Sequence, residues 1–191
     1  MLIASPKMTA AEFTALPEDA ARTRYELVQG EVIVSPSPSF PHARVVTELS
    51  ILLGSHIEKH ALGMLFSDID TYFGPEDVRR PDLFFFRSDR LYLLESLCPK
   101  EPPDLCVEVL SPSNWRTDTE DKFQLYEAAG VGNYWIVDPM EKSVLGYSLR
   151  DGRYVNSGHG AGSDHVCLPP FDDFQIPLAK LWWPLHLPSR P

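Results

Sequence analysis

Two short stretches of the chain are apolar at nearly every position, and each carries one acid. Pro81-Asp82 leads into Leu83-Phe84-Phe85-Phe86, and Leu105-Cys106-Val107-Glu108-Val109-Leu110 holds Glu108 near its end. Runs this short, bounded by turn residues, read as buried strands. Between His42 and about His60 the period changes: Val45, Leu49, Leu52 and Leu53 recur at helical spacing, and Val46, Ile51 and Ile57 widen the stripe. Gly63 is expected to close that helix in a left-handed conformation. Met64 to Phe73 alternates as one strand and stops at Gly74-Pro75. Trp115 to Ala129 reads as a second helix, opened by a capping-box pattern at Thr117-Asp118-Thr119-Glu120 and ended at Gly130. Asn133 to Val137 and Ser143 to Leu149 follow as strands, and Arg153 to Asn156 with His165 to Leu168 extend a β-rich tail. Upstream, Tyr25–Val28 and Glu31–Val34 flank Gln29-Gly30 as a hairpin, and Thr9 with Glu12 caps a short helix.

Side chains alternate across a strand, so Asp82, Phe84 and Phe86 share one face, as do Cys106, Glu108 and Leu110. If the two runs pair, both carboxylates meet near one end of a sheet. Buried ionised acids cost several kcal/mol unless they are paired or hold a metal. Hard oxygen ligands in this arrangement suit Mg²⁺ or Mn²⁺, and Lys122 in the following helix could complete a hydrolytic centre. Each acid alone has a structural reading as well: Asp82 as a turn cap after Pro81, and Glu108 as the partner of Arg79 or Arg80. Lys122 could equally be an exposed lysine paired with Asp118 four residues earlier.

Composition narrows the class. The 191 residues, 43% hydrophobic and 23% charged, suit one globular domain over 1–191. A net charge of −10 argues against holding nucleic acid by bulk electrostatics, yet leaves room for a local groove and metal ions. Three cysteines without paired spacing, Cys98, Cys106 and Cys167, fit a reducing compartment. The start of the chain lacks a signal-peptide pattern, and no stretch approaches the ~18 apolar residues of a membrane span. A soluble cytoplasmic protein without membrane contact is expected.

Several segments occur together in order: Tyr25-Glu26-Leu27-Val28-Gln29-Gly30-Glu31, Ser35-Pro36-Ser37-Pro38 with His42, Arg80-Pro81-Asp82, and Pro103-Asp104 through Leu110-Ser111-Pro112-Ser113. Asp121-Lys122-Phe123-Gln124-Leu125-Tyr126 and Ala129-Gly130-Val131-Gly132-Asn133-Tyr134-Trp135-Ile136-Val137-Asp138-Pro139 complete the set. In these the chain resembles the Uma2 family of the PD-(D/E)XK nuclease-like superfamily. The resemblance implies an α/β fold with a restriction endonuclease-like core (helix, three strands, helix, strand) over about residues 24–150. An N-terminal hairpin and a β-rich C-terminal extension would flank it. It implies that Asp82 is the superfamily's aspartate and Glu108 its (D/E) position. The superfamily's lysine position is Leu110 here, and the resemblance shifts that role to Lys122. A metal-dependent endonuclease acting on DNA, leaving a 5′-phosphate and working as a homodimer, would follow. The alternative is an inactive nuclease-like fold used as a binding or assembly module, which the net charge and Leu110 favour.

Glu31 and His42 fall at positions the family pattern shares and form a second tier, as a possible metal neighbour and a phosphate contact. Glu48, Asp68 and Asp70 are weaker candidates. His56-Ile57-Glu58-Lys59-His60 departs from the zinc-protease spacing and reads as a solvated helix end. Gly158-His159-Gly160-Ala161-Gly162-Ser163 lacks the Gly-Lys-Ser/Thr of a phosphate loop and reads as a surface loop.

Overall fold

The computed structural model describes residues 7–17, 24–35, 37–96, 101–111 and 117–182. Cys98, the expected helix start at Trp115 and the tail from Trp183 lie outside the described residues. In chain order the elements are α1 (Ala10–Thr14), β1 (Tyr25–Val28), β2 (Glu31–Val34), α2 (Phe40–His60), β3 (Gly63–Phe66), β4 (Thr71–Gly74), β5 (Asp77–Arg79) and β6 (Leu83–Arg87). After a 3-10 segment at Ser88–Glu95 come β7 (Leu105–Val109), α3 (Lys122–Ala129), β8 (Asn133–Asp138), β9 (Ser143–Arg150), β10 (Arg153–Ala161), β11 (His165–Leu168) and β12 (Phe171–Pro177).

The central sheet has six strands in the order β10-β9-β8-β7-β6-β3. Only β7 and β8 run parallel, and α3 lies in the crossover between them, as parallel neighbours require. Alternation sorts the side chains of β7 into two layers. Leu105, Val107 and Val109 join Leu83, Phe85 and Trp135 against Val45, Leu49, Leu53 and Ile57 of α2. Cys106 and Leu110 join Phe84, Phe86, Tyr134 and Ile136 on the other face, against Tyr126 of α3. A second sheet, ordered β2-β1-β5-β4, packs Leu27 and Val78 on Ala10 and Phe13 of α1. The expected capping box at Thr9 and Glu12 is formed.

Four local expectations change. Met64 to Phe73 is not one strand: at Asp68 the backbone turns left-handed (φ 55°), so β3 ends in the central sheet and β4 begins in the second. The first long helix ends on Ala61 (φ 50°), whose N–H reaches the carbonyls of Ile57 and Glu58. Gly63 instead opens β3, where a Cβ would fall 2.0 Å from the Phe86 carbonyl oxygen. The glycine-rich segment is largely strand: Gly158, Gly160 and Ala161 pair with β9 beyond a bulge. A Cβ on Gly158 or Gly160 would come within 2.6 Å of Leu168 or 2.3 Å of Val166, so these glycines let β11 pack onto the sheet. His56 is buried rather than solvated, because β12 crosses the end of α2 and stacks Phe174 on its ring at 4.3 Å.

Candidate active site

The β6–β7 register sets the two acids. Leu83 pairs with Val107, so one step further Asp82 stands across from Glu108. Asp82 Oδ2 accepts the Val109 N–H at 2.7 Å and lies 3.0 Å from His42 Nε2. The strand that carries Glu108 therefore also anchors Asp82. Among the described residues nothing donates to Asp82 Oδ1. His42 is in the first turn of α2, which Ser39 caps, and its ring is buried. A carboxylate oxygen accepts, so the ring N–H facing Asp82 is the one on Nε2. The other ring nitrogen, Nδ1, is buried without a partner among the described residues.

Glu108 is 1% exposed, and both its oxygens are engaged. Oε2 accepts from Lys122 Nζ at 2.8 Å, and Oε1 accepts from the Tyr126 hydroxyl at 2.7 Å. Lys122 and Tyr126 are one helical turn apart on α3, so a single helix face supplies both donors. A π turn at Thr117–Asp121 precedes them. Its five-residue repeat sets Thr117 and Lys122 on the same cleft wall. Burial, and then the charge of Glu108, pushes the Tyr126 hydroxyl well above its ordinary pKa, which keeps it a donor. Burial likewise raises the Cys106 thiol, so it stays protonated.

Asp82, Glu108, Lys122 and His42 all line one cleft of about 250 Å³. Glu31 does not. It is exposed on β2, on the face of that hairpin that turns to the cleft but farther from it. The hairpin's contribution is Glu26, which sequence reasoning passed over. Glu26 is buried, accepts the Arg80 N–H at 2.8 Å and the Ser35 hydroxyl at 3.2 Å, and lines the cleft. Leu27 belongs to the α1 core, so Glu26, its neighbour on the strand, faces the other way.

The structural alternatives for the acids are not realised. Arg79 pairs with Asp77, and Arg80 with Asp70. The Lys122 side chain is 7% exposed and bonded to Glu108, not a solvated lysine. Asp68 lines the cleft and pairs with Arg24, while Glu48 pairs with Arg44 on α2. Among the described residues no three histidine, cysteine or acidic side chains are grouped to hold a metal. Asp82 and Glu108 are thus a two-carboxylate set, the kind Mg²⁺ takes when water and substrate phosphate fill its other positions.

A family profile described as "Putative restriction endonuclease" matches residues 10–179. The chain belongs to the Uma2 family. This Uma2 protein is 30% identical over 141 residues to the uncharacterized protein sll1609 of Synechocystis sp., covering 72% of this chain and 79% of that one. A crystal structure from Anabaena variabilis, titled a "putative nuclease belonging to DUF820", superposes with a TM-score of 0.76. That likeness spans 91% of the Uma2 chain and 97% of the other at 22% identity, and it carries the fold. The expected restriction endonuclease-like core is present: α2, then β3, β6 and β7, then α3 and β8. Membership supports a nuclease-like function on nucleic acid. No helix among the described residues is long and apolar enough to cross a membrane.

Proposed function

We propose that this Uma2 protein is a divalent-metal-dependent phosphodiesterase, acting on DNA as an endonuclease, with Asp82 and Glu108 holding Mg²⁺ or Mn²⁺ and Lys122 acting beside them. The observation that carries this reading is the buried contact between Lys122 Nζ and Glu108 Oε2 at 2.8 Å, in a cleft that Asp82 also lines. The donor set fits the cation: Asp82 Oδ1 has no donor among the described residues, and Glu108 stands across from Asp82 as a second hard oxygen donor lining the same cleft. A bound divalent cation supplies Lewis acidity, lowering the pKa of water and offsetting charge on the phosphodiester.

The chain's own groups do the rest. Tyr126 and Val109 hold Glu108 and Asp82 in fixed orientation, so their acceptor directions are set before substrate arrives. Lys122 keeps an ammonium beside the carboxylate, where it can donate to the attacking water or to a phosphate oxygen. A long side chain from α3 thereby reaches the face on which Leu110 replaces the superfamily's lysine. His42 orients Asp82 from the wall of the same cleft. Water attack on phosphorus with loss of the 3′-oxygen leaves a 5′-phosphate, and a homodimer would cut both strands. Glu31 could act only from the cleft's margin.

Calorimetric titration of Mn²⁺ into wild type and Asp82→Ala tests the metal reading. Heat of binding in the wild type that disappears in the variant is expected, and equal heats in the two would remove the site. A module that only binds partners is the second reading. Lys122 already neutralises Glu108 without a cation, which favours it; it predicts no Mn²⁺ heat in either protein.

A further inference from the structure

The cleft carries two cations that the proposed chemistry does not use. Arg24 and Arg80 both line it, and each is paired with an aspartate from the β3–β4 connection, Asp68 and Asp70 respectively. Arg80 is held at two points. Its backbone N–H is held by Glu26, and its Nε donates to Asp70. Asp70 thus pins the inner edge of the guanidinium. Among the described residues neither terminal nitrogen has a hydrogen-bond acceptor, and the side chain is 30% exposed. Arginine presents its donors as a rigid fork matched to two phosphate oxygens, and a fork held at Nε loses less freedom on binding. Arg80 is also two residues before Asp82 and lines the same cleft as the acid pair.

We propose that Arg80, fixed by Asp70, is a phosphate subsite that takes a nucleic-acid backbone phosphate flanking the one at the acid pair, with Arg24 as a weaker second contact. The subsite gives an acidic protein of net charge −10 a local means of gripping a polyanion. It also places recognition in the backbone rather than in base edges, because neither arginine needs to enter a groove to reach a phosphate. The assignment rests on the nuclease reading for its ligand but not on cleavage.

The test is anisotropy of a short fluorescein-labelled DNA duplex in EDTA, over a salt series, with wild type, Arg80→Gln and Arg80→Lys. Arg80→Gln is expected to weaken binding about tenfold, as loss of a charged hydrogen bond does. It should also flatten the slope of log affinity against log salt by about 0.9, one phosphate contact. Arg80→Lys keeps the charge and loses the fork, so it should retain the slope while binding more weakly. Thermal melting of Arg80→Lys close to wild type shows that the fold survives. An Arg80→Gln protein with wild-type affinity and slope overturns the subsite, as does a wild type that binds no duplex. A wild type that binds and loses the slope in Arg80→Gln, yet nicks no DNA, sustains the subsite and removes only the endonuclease reading.

Discussion

Leu105, Val107 and Val109 on one face of β7, and Cys106 and Glu108 on the other, are all between 0 and 1% exposed. The first face meets α2 through Val45, Leu49, Leu53 and Ile57. The second meets α3 at similar depth but contains a carboxylate, an ammonium and a phenol joined by two hydrogen bonds. One strand thus shows that this fold can close a helix onto its sheet without charge, and that it does otherwise on the α3 side. Buried ion pairs rarely add stability relative to apolar residues of the same volume, since desolvation offsets their attraction. On the proposed function, the charged side serves chemistry rather than folding.

Breaking that side at one partner should have the largest effect. Lys122→Met leaves Glu108 buried with one charged donor removed, and chemical denaturation should read a loss of about 3–5 kcal/mol. On the apolar face, Leu105→Ala should cost about 2–5 kcal/mol through lost contacts and a cavity. Cleavage in that variant should persist at temperatures where it remains folded. Tyr126→Phe sharpens the contrast with a smaller change. It removes one hydrogen bond from a buried carboxylate for about 1–3 kcal/mol. It should nonetheless lower the nicking rate by about 10-fold or more, because Glu108 is no longer held from that side.

The core was legible in the sequence because its two periods are unambiguous. The helical spacing of Val45, Leu49 and Leu53 and the unbroken run Leu83–Phe86 each have one satisfactory burial. Strand parity set the faces of Asp82 and Glu108, and the β6–β7 pairing and register then brought the two acids opposite one another. Other features had no local signature. Alternation continues through Phe66 to Phe73 while the chain leaves one sheet for another, a change decided by the Asp68 turn and its pairing with Arg24. Glu26 and Glu31 share a hairpin face, and only packing of that hairpin over the cleft distinguishes the buried acid from the exposed one. Tyr126 looked like core, which it is; its hydroxyl became informative only with Glu108 in reach. His56 gave no sign of burial because the strand that covers it is more than 100 residues later in the chain.

The triple variant Glu108→Leu/Lys122→Met/Tyr126→Phe converts the charged side of β7 into a copy of the apolar one, leaving no buried hydroxyl without an acceptor. Its unfolding free energy and its plasmid nicking with Mg²⁺ or Mn²⁺, measured on the same preparation, test the central claim most directly. Replacing a buried pair by apolar residues is often neutral or stabilising by about 1–4 kcal/mol, so the variant should be at least as stable as the wild type while nicking is abolished. A variant that is several kcal/mol less stable, or one that still nicks DNA at the wild-type rate, would contradict the assignment of the pair to catalysis.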